Sequence, residues 1–138
     1  MNASTRGSPA LPLTLTVASG MADRAMRGAA SNDLSVCVAI VDAGGHLLVV
    51  ERSERAAAAS ADVAIAKARC AQMYRLPTSA LAKAGEHNPA MAALPHMLPF
   101  AGGVPIVIDG VHEGAVGVSG ASAEQDEAIA RAALSALD

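Results

Sequence analysis

Tryptophan is absent from this chain of 138 residues, and there is only one Phe and one Tyr. A core without aromatic bulk has to be built from Ala, Val, Leu and Ile, which brings its elements close together. Such a core buries little per chain, so self-association into a homo-oligomer is expected. Cysteine is nearly absent as well. Cys37 and Cys70 each lie in an apolar stretch and no CxxC occurs, so a reduced, buried pair is expected rather than a disulfide framework. The net charge is −3, with no basic run and no aromatic stacking platform, which excludes a nucleic-acid partner. No apolar run approaches the length of a membrane span. Residues 1–12 are polar and lack a hydrophobic signal core. The expectation is a cytoplasmic protein with a flexible tail over 1–12 and one domain over 13–138.

The remaining sequence alternates helical and extended patterns. Val17, Met21, Ala25 and Ala29 recur at helical spacing and predict a helix over about 14–29. Ser35 to Val41 is apolar on both faces, as a central strand covered on both sides would be. The turn Asp42-Ala43-Gly44-Gly45 returns it as a second strand over His46 to Arg52. Ser60 predicts the N-cap of a helix running to Tyr74, and Thr78 the cap of a short helix ending at Gly85. Pro89, Pro95 and Pro99 predict a loop over 86–100 with at most one helical turn. Val104 to Ile108 and Val111 to Ser119 flank Asp109-Gly110, the preferred dipeptide of a type I′ hairpin. Ser122 and Gln125 form a capping box that opens the last helix. Two hairpins separated by helices give an α+β fold, an antiparallel sheet flanked by helices.

Few residues stand out for chemistry. Lys67 sits on the helical stripe of Val63, Cys70 and Tyr74, so it either points toward a pocket or extends its ammonium to solvent. Asp126 falls on the apolar arc of the last helix and needs a partner, for which Lys67, Arg69 or the N–H groups near Gly117–Gly120 are candidates. It reads either as a buried ion pair or loop anchor, or as a catalytic acid or base. His46, His87, His96 and His112 show neither H-x-x-x-H nor H-E-x-x-H spacing, so no metal site is expected. His96-Met97 lies in the proline-rich loop, where it is either solvated or an axial ligand to haem iron. Gly102-Gly103 ahead of Val104-Pro105 can present N–H groups to a carboxylate.

Four motifs in order carry a family resemblance. They are Val38-Ala39-Ile40-Val41-Asp42-Ala43-Gly44-Gly45-His46-Leu47; Ser60 to Arg69 with Asp62 and Lys67; Gly102-Gly103-Val104-Pro105-Ile106; and Gly114 to Glu127 with Gly117, Ser119, Gly120, Glu124 and Asp126. The chain resembles the GlcG/HbpS-type haem-binding family, which includes the C-terminal domain of PduO-type proteins. The resemblance covers about Leu13 to Leu137. It implies a profilin-like α-β-α sandwich that self-associates, with haem bound in some members. By matching position it implies a ligand-facing region of Asp42, His46, Lys67, Gly102, Gly103, Pro105, Ser119, Gly120 and Glu124. Where relatives often carry a glycine after the second strand, this chain has Arg55.

Two functions follow. One is a small-ligand-binding oligomer, holding haem or another small anionic molecule in a pocket near the interface between copies. The other is a cofactor-free isomerase, hydratase or lyase acting on a small oxygenated or carboxylated metabolite. There Lys67 or Asp126 would be acid or base, His96 or His46 a partner, and the Gly102-Gly103 amides the anion cradle. A scaffold serving assembly alone is a third reading.

Overall fold

Thr14 opens the first helix by accepting the Val17 N–H on its hydroxyl at 3.2 Å. The computed structural model describes residues 11–137, so the tail expected over 1–12 lies outside it up to residue 10. Helix α1 spans Leu15–Ser31, two residues beyond the predicted end. Strands β1 (Cys37–Asp42) and β2 (Leu47–Arg52) form the first hairpin. Helices α2 (Ser60–Tyr74) and α3 (Thr78–Gly85) follow. A single 3-10 turn, Pro89–Ala93, interrupts the loop. Strands β3 (Gly103–Ile108) and β4 (Val111–Ser119) make the second hairpin. Helix α4 (Ala123–Leu134) and a 3-10 turn, Ser135–Leu137, close the chain.

The sheet is antiparallel in the order β2-β1-β4-β3. The hairpins therefore join through β1 and β4, with Cys37 opposite Ser119 and Asp42 opposite Gly114. Asp109 and Gly110 adopt φ of 50° and 78°, the two positive values that a type I′ turn requires.

Strand alternation divides the core into two layers. Val38, Ile40, Val104, Ile106, Val116 and Val118 pack against Met21, Ala22 and Ala25 of α1 and Ile129, Ala130 and Ala133 of α4. On the other face, Cys37, Ala39, Val41 and Ala115 meet Ala64, Ala68 and Ala71 of α2. Together these layers make the α-β-α sandwich. Small residues set the spacing of the second layer. A Cβ at Gly117 would strike the Ala64 carbonyl and sit 2.6 Å from the Ala68 nitrogen. One at Gly103 would strike the Lys67 carbonyl. Helix α2 thus rests on a glycine floor that any side chain would lift.

Two predicted caps have other roles. Ala59, at the N-cap position, already has helical dihedrals (φ −67°, ψ −17°) and offers no capping side chain, and Ser60 is buried inside α2. Pro77 is the N-cap of α3. Thr78 is fully buried, and its hydroxyl accepts the Gly103 N–H at 2.8 Å. Cys37 and Cys70 are both free and buried. Among the described residues, no helix is long and apolar enough to cross a membrane.

Candidate functional site

Lys67 projects from α2 past the end of β4 and meets Asp126 of α4 at 3.1 Å, with both side chains nearly fully buried. The ammonium also donates to the Val118 carbonyl at 3.0 Å. Asp126 accepts the Ala121 N–H at 2.9 Å on its other oxygen, in the first turn of α4 where a negative charge is favoured. The capping box of Ser122 and Gln125 fixes that turn. Burial pushes the Asp126 carboxyl above its usual range, opposed by the Ala121 N–H and by Lys67. Each group is thus committed to the other and to backbone, as a brace between two elements. An ammonium carries three hydrogens, and two of them have acceptors among the described residues. The adjoining cleft encloses about 520 Å³ between Val63, Leu98, Phe100, Ser119 and Gly120.

On the far side of Leu98 lies a second cleft of about 420 Å³. Its floor is Leu47, Ile65, Ala66 and Leu98, and its polar rim is Asp62, Arg69 and His96, next to Met97. The loop carrying His96 is held on both sides. Tyr74 donates its hydroxyl to the Pro95 carbonyl. The Leu98 N–H donates to the Cys70 sulfur at 3.3 Å. Between these clamps His96 takes φ of 58°, in the left-handed region. Arg69 is anchored through Nε to the Gly45 carbonyl at 3.2 Å, and its terminal nitrogens have no partner among the described residues.

The other expected residues lie elsewhere. The Asp42 carboxylate accepts the Gly44 and His46 N–H groups and faces His46 at 3.6 Å, in a separate cleft with Leu11, Leu13 and Glu113. Five residue steps of β1, about 17 Å, separate Asp42 from the Ser119 end of the sheet. One ligand-facing region therefore does not hold both sets. Gly102 and Gly103 are buried beneath α2, and the Gly103 N–H is taken by Thr78, so it is not available as an anion cradle. Pro105 faces a further cleft beside β3. Glu124 is exposed on α4, while His46, His87 and His96 are exposed and His112 half-buried. Among the described residues, no three His, Cys, Asp or Glu side chains gather as a metal ion would require.

Sequence reasoning passed over the rim role of Asp62 and Arg69. The signal was present: Asp62, Ile65, Ala66 and Arg69 follow an i, i+3, i+4, i+7 pattern and share one stripe of α2.

Comparison with known proteins places this geometry. Residues 13–135 match the family model described as Haem degrading protein HbpS-like. Protein GlcG of Escherichia coli strain K12 is 36% identical over 108 residues, covering 78% of this chain and 81% of that protein. The crystal structure of a double mutant of Streptomyces reticuli HbpS superposes with a TM-score of 0.88 at 34% identity, covering 100% of this chain and 95% of that one. The PduOC:heme complex superposes with a TM-score of 0.82 at 29% identity, covering 90% and 94%. With four helices around an open antiparallel sheet of four strands, and a family match that spans both hairpins, this chain belongs to the HbpS-like family.

Proposed function

We propose that this protein binds haem in the cleft rimmed by His96. Haem needs an apolar slot, an axial ligand and a cation for its propionates. The observation that carries the reading is the presence of all three in one cleft. Leu47, Ile65 and Leu98 make the slot, His96 and Met97 are residue types that ligate haem iron, and the terminal nitrogens of Arg69 have no partner among the described residues. The cleft beside Lys67 fits less well, because no His, Met, Cys or Tyr lines it. Bound haem supplies an iron centre for electron transfer or for ligation of a small molecule. The chain's part is to orient the macrocycle through the clamped loop and to keep water off one of its faces.

Self-association belongs to the same proposal. Leu47 is 41% exposed beside the cleft, and Met73 and Leu94 are 47% and 48% exposed along α2 and the loop. These side chains suit a second copy closing the open side of the cleft. Two free, buried cysteines suit the reducing interior of a cell, and we assign the protein to the cytoplasm. The acid–base reading of Lys67 and Asp126 has less support, since each already satisfies the other.

The test is a haemin titration followed in the Soret band, with His46→Ala, His87→Ala, His96→Ala and His112→Ala in parallel. Saturation at one haem per chain, abolished by His96→Ala alone, is expected. Arg69→Gln should weaken binding about tenfold, the value of one charge-assisted hydrogen bond. Binding indifferent to all four histidine changes rejects the proposal.

A further inference from the structure

A third cleft, of about 520 Å³, lies along the free edge of β3, between the C-terminal end of α2 and the exposed side of α4. Neither hairpin motif predicts it, and the haem reading does not use it. Two arginines from distant parts of the chain line it. Arg75 ends α2 and Arg131 comes from the last turn of α4. His112 joins them from β4, and its Nδ1 is buried without a hydrogen-bond partner among the described residues. The rest of the wall is apolar, from Val104 and Val107 of β3 and Leu134 of α4.

Arg75 adds an independent observation. It caps α2 in the left-handed conformation, at φ 55° and ψ 40°. Glycine takes that conformation without steric penalty, whereas a residue with a Cβ does not. The arginine accepts the strain and presents a guanidinium at the mouth of the cleft, where it has no hydrogen-bond acceptor among the described residues. The Arg131 Nε points to Glu127 at 3.4 Å. Among the described residues, two guanidiniums and one carboxylate meet at this cleft. The guanidiniums suit an anionic group, and the apolar wall suits a hydrocarbon body.

We infer that this cleft binds a small monocarboxylic acid with an apolar body, its carboxylate between Arg75 and Arg131 and its chain against Val104, Val107 and Leu134. The site is independent of the haem cleft.

The experiment is calorimetric titration of the full chain with hexanoate, alongside 1-hexanol, hexylamine and inorganic phosphate, with the ring resonances of His112 followed by NMR. Hexanoate is expected to bind saturably and shift His112, while the alcohol, amine and phosphate do not. Arg75→Gln and Arg131→Gln should each weaken hexanoate at least about tenfold, the loss of one hydrogen bond to a charged group. His96→Ala should leave hexanoate binding unchanged. Hexanol or hexylamine binding as well as hexanoate would reduce the cleft to an apolar patch and overturn the inference. Tighter binding of phosphate, wild-type affinity in both arginine variants, or no saturable uptake of hexanoate would also overturn it.

Discussion

Replacing Lys67 by methionine keeps the length and apolar stem of the side chain but removes the ammonium from a nearly fully buried pair. The Asp126 carboxylate then has only backbone N–H groups and the first turn of α4 to offset its burial. Breaking one side of a buried ion pair costs about 3–5 kcal/mol, or roughly 10–15 °C in Tm for a chain of this size. The penalty should also depend on pH. In the wild type, burial already raises the Asp126 carboxyl above its ordinary value, with the Ala121 N–H and Lys67 opposing. A raised value means the folded state holds the proton more tightly than the unfolded chain. The stability this brings is present below the unfolded pKa and lost as pH rises through the folded one. Without Lys67 the folded value rises further, so the variant folds with Asp126 protonated over a wider range. Across the range where only the variant holds that proton, its stability should fall by about 1.4 kcal/mol per pH unit relative to wild type. The double change Lys67→Met with Asp126→Asn removes both charges and keeps an acceptor for the Ala121 N–H. It should recover most of the loss. Urea unfolding of the four proteins at acidic, neutral and mildly alkaline pH measures all of this. A penalty that is flat with pH, or a double variant as unstable as the sum of the singles, would refute the account.

The thiols give a second expectation. Burial raises both Cys37 and Cys70, with Arg52 and the Leu98 N–H respectively opposing, so little thiolate exists at neutral pH. Iodoacetamide should label neither cysteine in the native protein and both in urea, as read by mass spectrometry; rapid native labelling of Cys70 would show that the loop over it opens. Gly117→Ala places a methyl group against the Ala64 carbonyl and should destabilise by about 1–3 kcal/mol or more, because the obstacle is backbone. A neutral effect in denaturant unfolding would mean that α2 is not seated on the sheet as described.

Much of the fold was legible because its signals are local. The doubly apolar run of β1, the Asp109-Gly110 turn and the Ser122–Gln125 capping box each specify their own geometry within a few residues. The site was less legible, because it depends on long-range register. Asp42, His46, Ser119 and Gly120 all occur beside turns, and nothing local shows that the β1–β4 pairing sends the first two to the opposite end of the sheet from the others. The partnership of Lys67 with Asp126 could be anticipated, since an acid on an apolar arc needs a cation. Thr78 could not be read in this way: its hydroxyl sits where a helix cap belongs, and only the tertiary fold turns it to Gly103. Nothing in the sequence fixes the left-handed backbone of His96, which lies between loop contacts to Tyr74 and Cys70 of a neighbouring helix.

The Lys67–Asp126 brace also bears on how the molecule comes apart. Helices α2 and α4 lie on opposite faces of the sheet, separated by a layer of strands, and would otherwise be free to detach one at a time. Their ion pair ties them together past the end of β4, where Val118 and Ala121 share the same two side chains. Peeling α2 away exposes an unpaired carboxylate on α4, so loss of one layer weakens the other. Exchange of amide hydrogens around Lys67 and Asp126 then has to wait for unfolding of the whole domain.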